Sequence, residues 1–315
     1  MSQPKVFITR QIPEAGLKLL INQVDLEIWD KSEPPPDSTL LEKAPHLDGL
    51  LCLLTDTIDQ NLIDHAPQLK VISQMAVGYD NIDIDAATKR GIPVGNTPGV
   101  LTEATADLTW ALLMAIARHI PEAQEYIKQG QWTTWQPMGL LGADFYGSTL
   151  GLIGLGRIGQ AVACRAKGFH LKILYHNRHR LDANLEQDLG VKYVSLETLL
   201  KESDFISLHT PLTETTYHLI SSKELKLMKP TAFLINTARG GIVDQNALYH
   251  SLLNQEIAGA ALDVTDPEPL PKDHKLLTLN NVIITPHIGS ASEQTRSQMA
   301  IIAAQNLLAG LQGKP

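Results

Sequence analysis

GLIGLGRIG, residues 151–159, follows Leu150 and runs on into QAVACRAKG. The small and apolar residues from Leu150 to Ile153 predict a short buried strand, and the apolar-periodic stretch after Gly159 predicts a helix. Between them Gly154, Gly156 and Gly159 hold G-x-G-x-x-G spacing. The first glycine permits a tight strand-to-helix turn, the second lets backbone approach a pyrophosphate, and the third lets helix and strand pack closely. Free N–H groups at the helix start, helped by the helix dipole, then hold the phosphates. Gly154, Leu155, Gly156, Arg157, Ile158 and Gly159 are therefore candidate cofactor contacts. Such a triplet arises by chance in glycine-bearing loops. Here the strand–turn–helix context and a further strand predicted at LKILY, 171–175, carry the dinucleotide reading.

Outward from this stretch, short apolar runs alternate with helical patterns. Upstream the strands are predicted at 5–9, 24–29, 47–55 and 69–75, with a proline break at Pro34 to Pro36. Downstream they are predicted at 204–210, 232–238, 257–264 and 281–287, with helices near 181–189, 196–202, 222–228 and 244–254. This alternation predicts βαβ units and parallel sheets. The expected fold is α/β, with two Rossmann-like parallel-sheet domains and a cleft between them. The nucleotide domain would be doubly wound and the other flavodoxin-like. Residues 1–99 with 288–315 are expected to form the substrate-binding domain and 100–287 the nucleotide domain. The helix after Thr102 is apolar on more than one face and suits a subunit interface. The loop WTTWQPMGLLG, 132–142, suits a lid or an interface arm.

A chain of 315 residues fits two such domains, and its net charge of −8 argues against nucleic acid or an anionic membrane as partner. The two cysteines, Cys52 and Cys164, lie in apolar runs and are expected as buried free thiols of a cytoplasmic protein. No signal core and no bilayer-length apolar run is present. The histidines show no metal-ligand spacing, so no metal is expected.

An NAD site places a carboxylate about 20 residues past the glycines, on the ribose 2′-hydroxyl. This chain reads His176, Asn177, Arg178, His179, Arg180 there, with no carboxylate before Asp182. The arginines invite a 2′-phosphate, and one charge-assisted hydrogen bond would favour NADP(H) by roughly tenfold. NADP(H) is thus the expected cofactor, with NAD(H) the weaker alternative and Asn177, Arg178 and Arg180 the discriminating residues. In the loop AVGYDNID, Ala76, Val77 and Gly78 form a candidate anion site built from backbone N–H groups.

Three polar residues end late strands: Arg239 in INTARGGIVD, Glu268 in LDVTDPEPL and His287 in NVIITPH. Reduction of a carbonyl by hydride needs a proton donor at its oxygen, and histidine suits that near neutral pH. A carboxylate bonded to the imidazole would favour its protonated form. An arginine can hold a substrate carboxylate by two parallel bonds. Arg239, Glu268 and His287 are therefore the candidate catalytic residues.

These motifs, with GLIGLGRIG, AVGYDNID and TPHIGSAS, occur in an order that resembles the D-isomer-specific 2-hydroxyacid dehydrogenases, and within them the glyoxylate/hydroxypyruvate reductases. WTTWQP and the arginines after LYHN point to that subgroup. The resemblance implies NADPH-dependent reduction of glyoxylate and hydroxypyruvate to glycolate and D-glycerate. It implies that Arg239 binds the substrate carboxylate, that His287 is the proton donor and that Glu268 pairs with it. Asp263 would lie by the nicotinamide, Val77 and Gly78 would share the carboxylate, and Ser290 would lie beside the substrate. Thr102, Thr210, Pro211, Thr237, Ala238 and Gly289 complete the implied cofactor contacts. A homodimer is implied, with the helix and loop at about 100–145 in its interface and Trp135 reaching the partner subunit's site. Leu53, with Leu51, Trp135 and Met138, would set the side-chain preference.

Formate dehydrogenases pair the histidine with glutamine, where this chain has Glu268. Phosphoglycerate dehydrogenases often carry a further C-terminal domain, for which no room is expected before Pro315. D-lactate-type enzymes usually show the acid missing after the second strand. The alternatives are another D-2-hydroxyacid dehydrogenase, a phosphite dehydrogenase, or a dinucleotide-sensing, corepressor-like binding protein. That last kind would be expected to carry an interaction tail, and none is evident beyond Leu311.

Overall fold

The computed structural model describes residues 3–314, which divide into two compact units. The first comprises the chain up to Leu101 together with the residues from Ala291 onward. Its strands are β1 (Lys5–Ile8), β2 (Asp25–Ile28), β3 (Gly49–Cys52), β4 (Val71–Gln74) and β5 (Val94–Gly95). They pair in parallel in the order β2-β1-β3-β4-β5. β3 and β4 are buried at every position, while the edge strand β2 alternates between exposed and half-buried residues. That difference follows from parallel strands covered on both faces at the sheet's centre. The last helix, Glu293–Leu311, lies against this sheet, where the Ser73 hydroxyl donates to the Ala303 carbonyl at 2.7 Å.

The second unit, Thr102–Ser290, holds β6 (Thr149–Ile153), β7 (Lys172–His176), β8 (Val191–Tyr193), β9 (Phe205–Leu208), β10 (Phe233–Asn236), β11 (Gly259–Leu262) and β12 (Val282–Ile284). All pair in parallel in the order β12-β11-β10-β9-β6-β7-β8. The chain starts in mid-sheet at β6 and winds outward first through β7, then from β9, so the crevice between β6 and β9 is the switch point where ligands bind. The helix Thr102–Ala117 buries residues on more than one face. Its Trp110 stacks on Phe169 with ring centroids 4.6 Å apart and donates to the Val162 carbonyl at 3.1 Å.

The α/β class and the two parallel sheets are as expected, with most strands shorter than the apolar runs that announced them. The helix Asp37–Lys43 follows the prolines directly, with Pro36 at its N-cap. Only Leu40 is buried there, too little apolar periodicity to read in advance. Strand β8 has three residues, below the length at which alternation becomes visible. Cys52 is buried, and burial pushes its thiol pKa well up. Cys164 is exposed, contrary to expectation. Its helix turns Ala161, Val162, Ala163 and Ala166 to the core and leaves Cys164 outside. Among the described residues no helix is long and apolar enough to cross a membrane.

Candidate active site

The glycine-rich turn sits at the switch point. Gly154 has φ +94°, and a Cβ on it would lie 2.7 Å from the His209 carbonyl carbon and 2.9 Å from the Thr210 nitrogen. A Cβ on Gly159 would lie 2.3 Å from the Gly154 carbonyl oxygen. Packing thus demands both outer glycines. The middle one, Gly156, faces open space with nothing within 4 Å of its Cβ direction. The helix Arg157–Ala166 begins there without a side-chain cap, leaving its first N–H groups for a ligand. Thr210, on the neighbouring loop, has a buried hydroxyl with no partner among the described residues. An open cradle beside uncapped N–H groups and an orphaned hydroxyl fits a dinucleotide pyrophosphate.

The loop after β7 is tied at both ends. Asn177 Oδ1 accepts the Leu155 N–H at 2.7 Å, which locks it to the glycine turn. At the other end Tyr175 donates its hydroxyl to Glu186 and accepts the Leu181 N–H at 2.9 Å. Glu186 also receives Arg180 Nε at 2.8 Å and Nη2 at 2.7 Å. These bonds, Arg180 first and Tyr175 second, hold the Glu186 carboxyl down to about 2. Arg178 is exposed and makes no hydrogen bond or ion pair among the described residues. The two arginines expected to act alike therefore stand in different surroundings. His176 is turned to the Val194 carbonyl, with Nδ1 3.0 Å away.

The three catalytic candidates follow adjacent strands. Asn236, Leu262 and Ile284 are level across β10, β11 and β12. Arg239 and His287 each come three residues past that line and Glu268 six. Gly240 lets the first two loops meet, since a Cβ on it would overlap the Thr265 carbonyl oxygen at 2.0 Å. His287 Nδ1 lies 2.5 Å from Glu268 Oε1, leaving Nε2 as the ring's other nitrogen. Both side chains are partly open, at 26% and 35% exposure. His287 adopts φ +52°, a left-handed conformation that few residues besides glycine, asparagine, aspartate and histidine take. Asp263, 1% exposed, holds it there. Its carbonyl accepts the His287 N–H at 2.9 Å. Its carboxylate accepts the Thr285 hydroxyl at 2.6 Å and the N–H groups of Ile288 at 2.8 Å and Gly289 at 2.7 Å. Arg239 is half-buried, with Nη1 on the Ala238 carbonyl at 2.8 Å, and Asn236 braces its backbone. Thr237 bonds Thr109 of the first helix of the unit, at 2.9 Å between hydroxyl oxygens. An imidazole bonded to a carboxylate can carry acid–base chemistry, and the guanidinium follows an adjacent strand at the same end of the sheet.

In the first unit, Val77 and Gly78 are half-buried in the loop after β4, and no described residue accepts their N–H groups. Leu53 is half-buried at the end of β3. The arm beyond Ile120–Lys128, a helix with no buried residue, exposes Trp132, Met138, Leu141 and Tyr146, with Trp135 at 80%. Among the described residues no group of three or more His, Cys, Asp or Glu side chains could hold a metal.

Residues 110–289 match the NAD binding domain of the D-isomer specific 2-hydroxyacid dehydrogenases. The chain is 53% identical over 313 residues to a glyoxylate reductase of Korarchaeum cryptofilum, covering 99% of this chain and 94% of that one. The chain belongs to the D-isomer specific 2-hydroxyacid dehydrogenase family. Among solved structures of similar proteins, one from Thermus thermophilus superposes with a TM-score of 0.92 at 47% identity, covering 98% of this chain and 97% of that one. An NADPH-dependent glyoxylate/hydroxypyruvate reductase of Sinorhizobium meliloti, in complex with NADP and malonate, gives 0.84 at 32% identity, covering 98% and 93%.

Two features of this 2-hydroxyacid dehydrogenase escaped sequence reasoning. Glu186 is one; its signal was a carboxylate on the buried side of the helix Ala183–Leu189, where Leu189 is the other buried residue. The other is the threefold use of Asp263 on the 285–289 loop, which a polar residue ending an apolar strand could have suggested.

Proposed function

We propose that the protein reduces glyoxylate and hydroxypyruvate to glycolate and D-glycerate with NADPH, in the cytoplasm. The observation that carries this reading is the His287–Glu268 pair, 2.5 Å apart, at the end of the sheet that also presents Arg239. A nicotinamide held there would supply the hydride that the carbonyl carbon takes. His287, protonated and held by Glu268 at Nδ1, gives the Nε2 proton to the carbonyl oxygen. Arg239 holds the substrate carboxylate through paired bonds, and the N–H groups of Val77 and Gly78 share it. Ser290 lies beside the substrate, Asp263 keeps the His287 loop by the nicotinamide, and Leu53 bounds the side-chain pocket. Thr102, Pro211, Thr237, Ala238 and Gly289 complete the cofactor contacts around the glycine turn. Arg178 reads the 2′-phosphate as a free cation, with Arg180 beside it. The chain works as a homodimer in which a second copy covers the exposed apolar arm and Trp135 reaches that copy's site. An arm this apolar favours a protein partner over water.

NADPH oxidation assayed across glyoxylate, hydroxypyruvate, pyruvate and bulkier 2-oxo acids tests the reading. The highest kcat/KM is expected on the first two, with NADPH preferred to NADH. Arg178→Ala should lower the NADPH-to-NADH ratio of kcat/KM by about tenfold, the worth of one charge-assisted bond. An unchanged ratio removes Arg178 from cofactor selection, and absence of turnover on every 2-oxo acid refutes the activity.

A further inference from the structure

Three consecutive peptide units after β4 are held by their carbonyls, all from within the first unit. The Ala76 carbonyl accepts the Thr97 N–H at 2.8 Å, the Val77 carbonyl accepts Asn96 Nδ2 at 2.8 Å, and the Gly78 carbonyl accepts Gln74 Nε2 at 3.2 Å. A trans peptide is planar and directs its N–H opposite to its C=O. Fixing the Ala76 and Val77 carbonyls therefore fixes the direction of the Val77 and Gly78 N–H groups, neither of which a described residue accepts. Adjacent N–H groups aimed from one loop make an anion-binding concavity. The anchors are themselves anchored. Asn306 Nδ2 donates to the Asn96 carbonyl at 2.9 Å. Gln74 Nε2 also donates to Asn81 Oδ1 at 2.7 Å, and Asn81 Nδ2 reaches the Leu53 and Asp56 carbonyls at 3.0 and 2.8 Å. Of the three carbonyl anchors, Asn96 is the side chain that governs the Gly78 N–H.

We propose that Asn96 is a positioning residue for carboxylate recognition: its side-chain amide holds the Val77–Gly78 peptide plane so that the Gly78 N–H faces the substrate carboxylate. This rests on the reading that the Val77–Gly78 peptide receives that carboxylate. Asn96 itself touches neither substrate nor cofactor. Its role is to keep a rotatable peptide from turning its carbonyl toward an anion.

The test compares wild type, Asn96→Ala and Asn96→Asp in two measurements: steady-state reduction of glyoxylate by NADPH, and calorimetric binding of oxalate to the NADPH-loaded protein. Misdirecting one hydrogen bond to a charged group should raise KM for glyoxylate about tenfold and weaken oxalate binding about tenfold, leaving kcat within about twofold. KM for NADPH should not move. Asp keeps the shape of Asn but sets a carboxylate oxygen against the Val77 carbonyl, so its loss should equal or exceed that of Ala. A side chain that merely filled space would leave Asn96→Asp unchanged. Oxalate bound equally by all three proteins overturns the proposal, as does loss of NADPH and oxalate binding together. A wild type that binds oxalate but reduces no 2-oxo acid sinks the proposed activity and leaves this inference standing. A wild type that reduces glyoxylate, with both variants undiminished, sinks this inference alone.

Discussion

His287→Ala should lower kcat for glyoxylate reduction by about 10²–10⁴-fold, the usual contribution of a positioned acid or base. The fall should appear in kcat, with NADPH binding retained, because in the proposed role the imidazole acts only as the carbonyl oxygen gains its proton. Alanine at this position also inherits φ +52°, which it tolerates poorly. His287→Asn separates the two effects, since asparagine enters the left-handed region readily yet supplies no proton near neutrality. Stopped-flow and steady-state rates of both variants should fall together. If His287→Asn turns over at close to the wild-type rate, the proton comes from elsewhere.

Asp263→Ala should destabilise the protein by about 3 kcal/mol or more, read as a lower midpoint in urea unfolding. Hydrogen bonds to a charged group contribute about 1.5–3 kcal/mol each, and a buried donor left unpaired costs about 1–3 kcal/mol. Asp263 accepts three such bonds through its side chain, from Thr285, Ile288 and Gly289. All three lie within two residues of His287, so the loss should reach catalysis as well as stability. The backbone bond from His287 to the Asp263 carbonyl survives the substitution, so the loop loosens without detaching. Asp263→Asn keeps the shape but turns an amide N–H₂ toward one of those donors, and should give a smaller loss of the same kind. An unfolding midpoint unchanged in Asp263→Ala would mean that the 285–289 loop is held by its own backbone.

What was legible in the sequence was what lies contiguous in the chain. The strand, turn and helix around Gly154 to Gly159 are neighbours in sequence, and their chemistry is backbone chemistry, so the glycine spacing and its strand–turn–helix context exposed them. Arg239, Glu268 and His287 were legible because each follows an apolar run that ends abruptly in a polar residue. The level register of Asn236, Leu262 and Ile284 is why three such run-ends emerge on one edge of the sheet. Contacts between separate elements were legible only where the family resemblance implied them, as for Glu268 and His287. Arg180 reads as a free cation beside Arg178 until a helix brings Glu186 against it. Nothing in the linear sequence around Asn96 announces that its amide bonds Val77, 19 positions earlier. Cys164 was misjudged because an apolar run does not say which helix face packs. Pairings of this kind depend on how elements come together, and a linear pattern carries no record of that.

The most direct test is a crystal structure of the protein with NADP and oxamate, a 2-oxo acid analogue that does not react. The carboxylate of oxamate is expected on Arg239, and His287 Nε2 about 2.6–3.2 Å from the carbonyl oxygen, within reach for proton transfer. Oxamate bound away from Arg239, or an imidazole turned from that oxygen while Glu268 is still paired with it, would contradict the proposed roles of both residues.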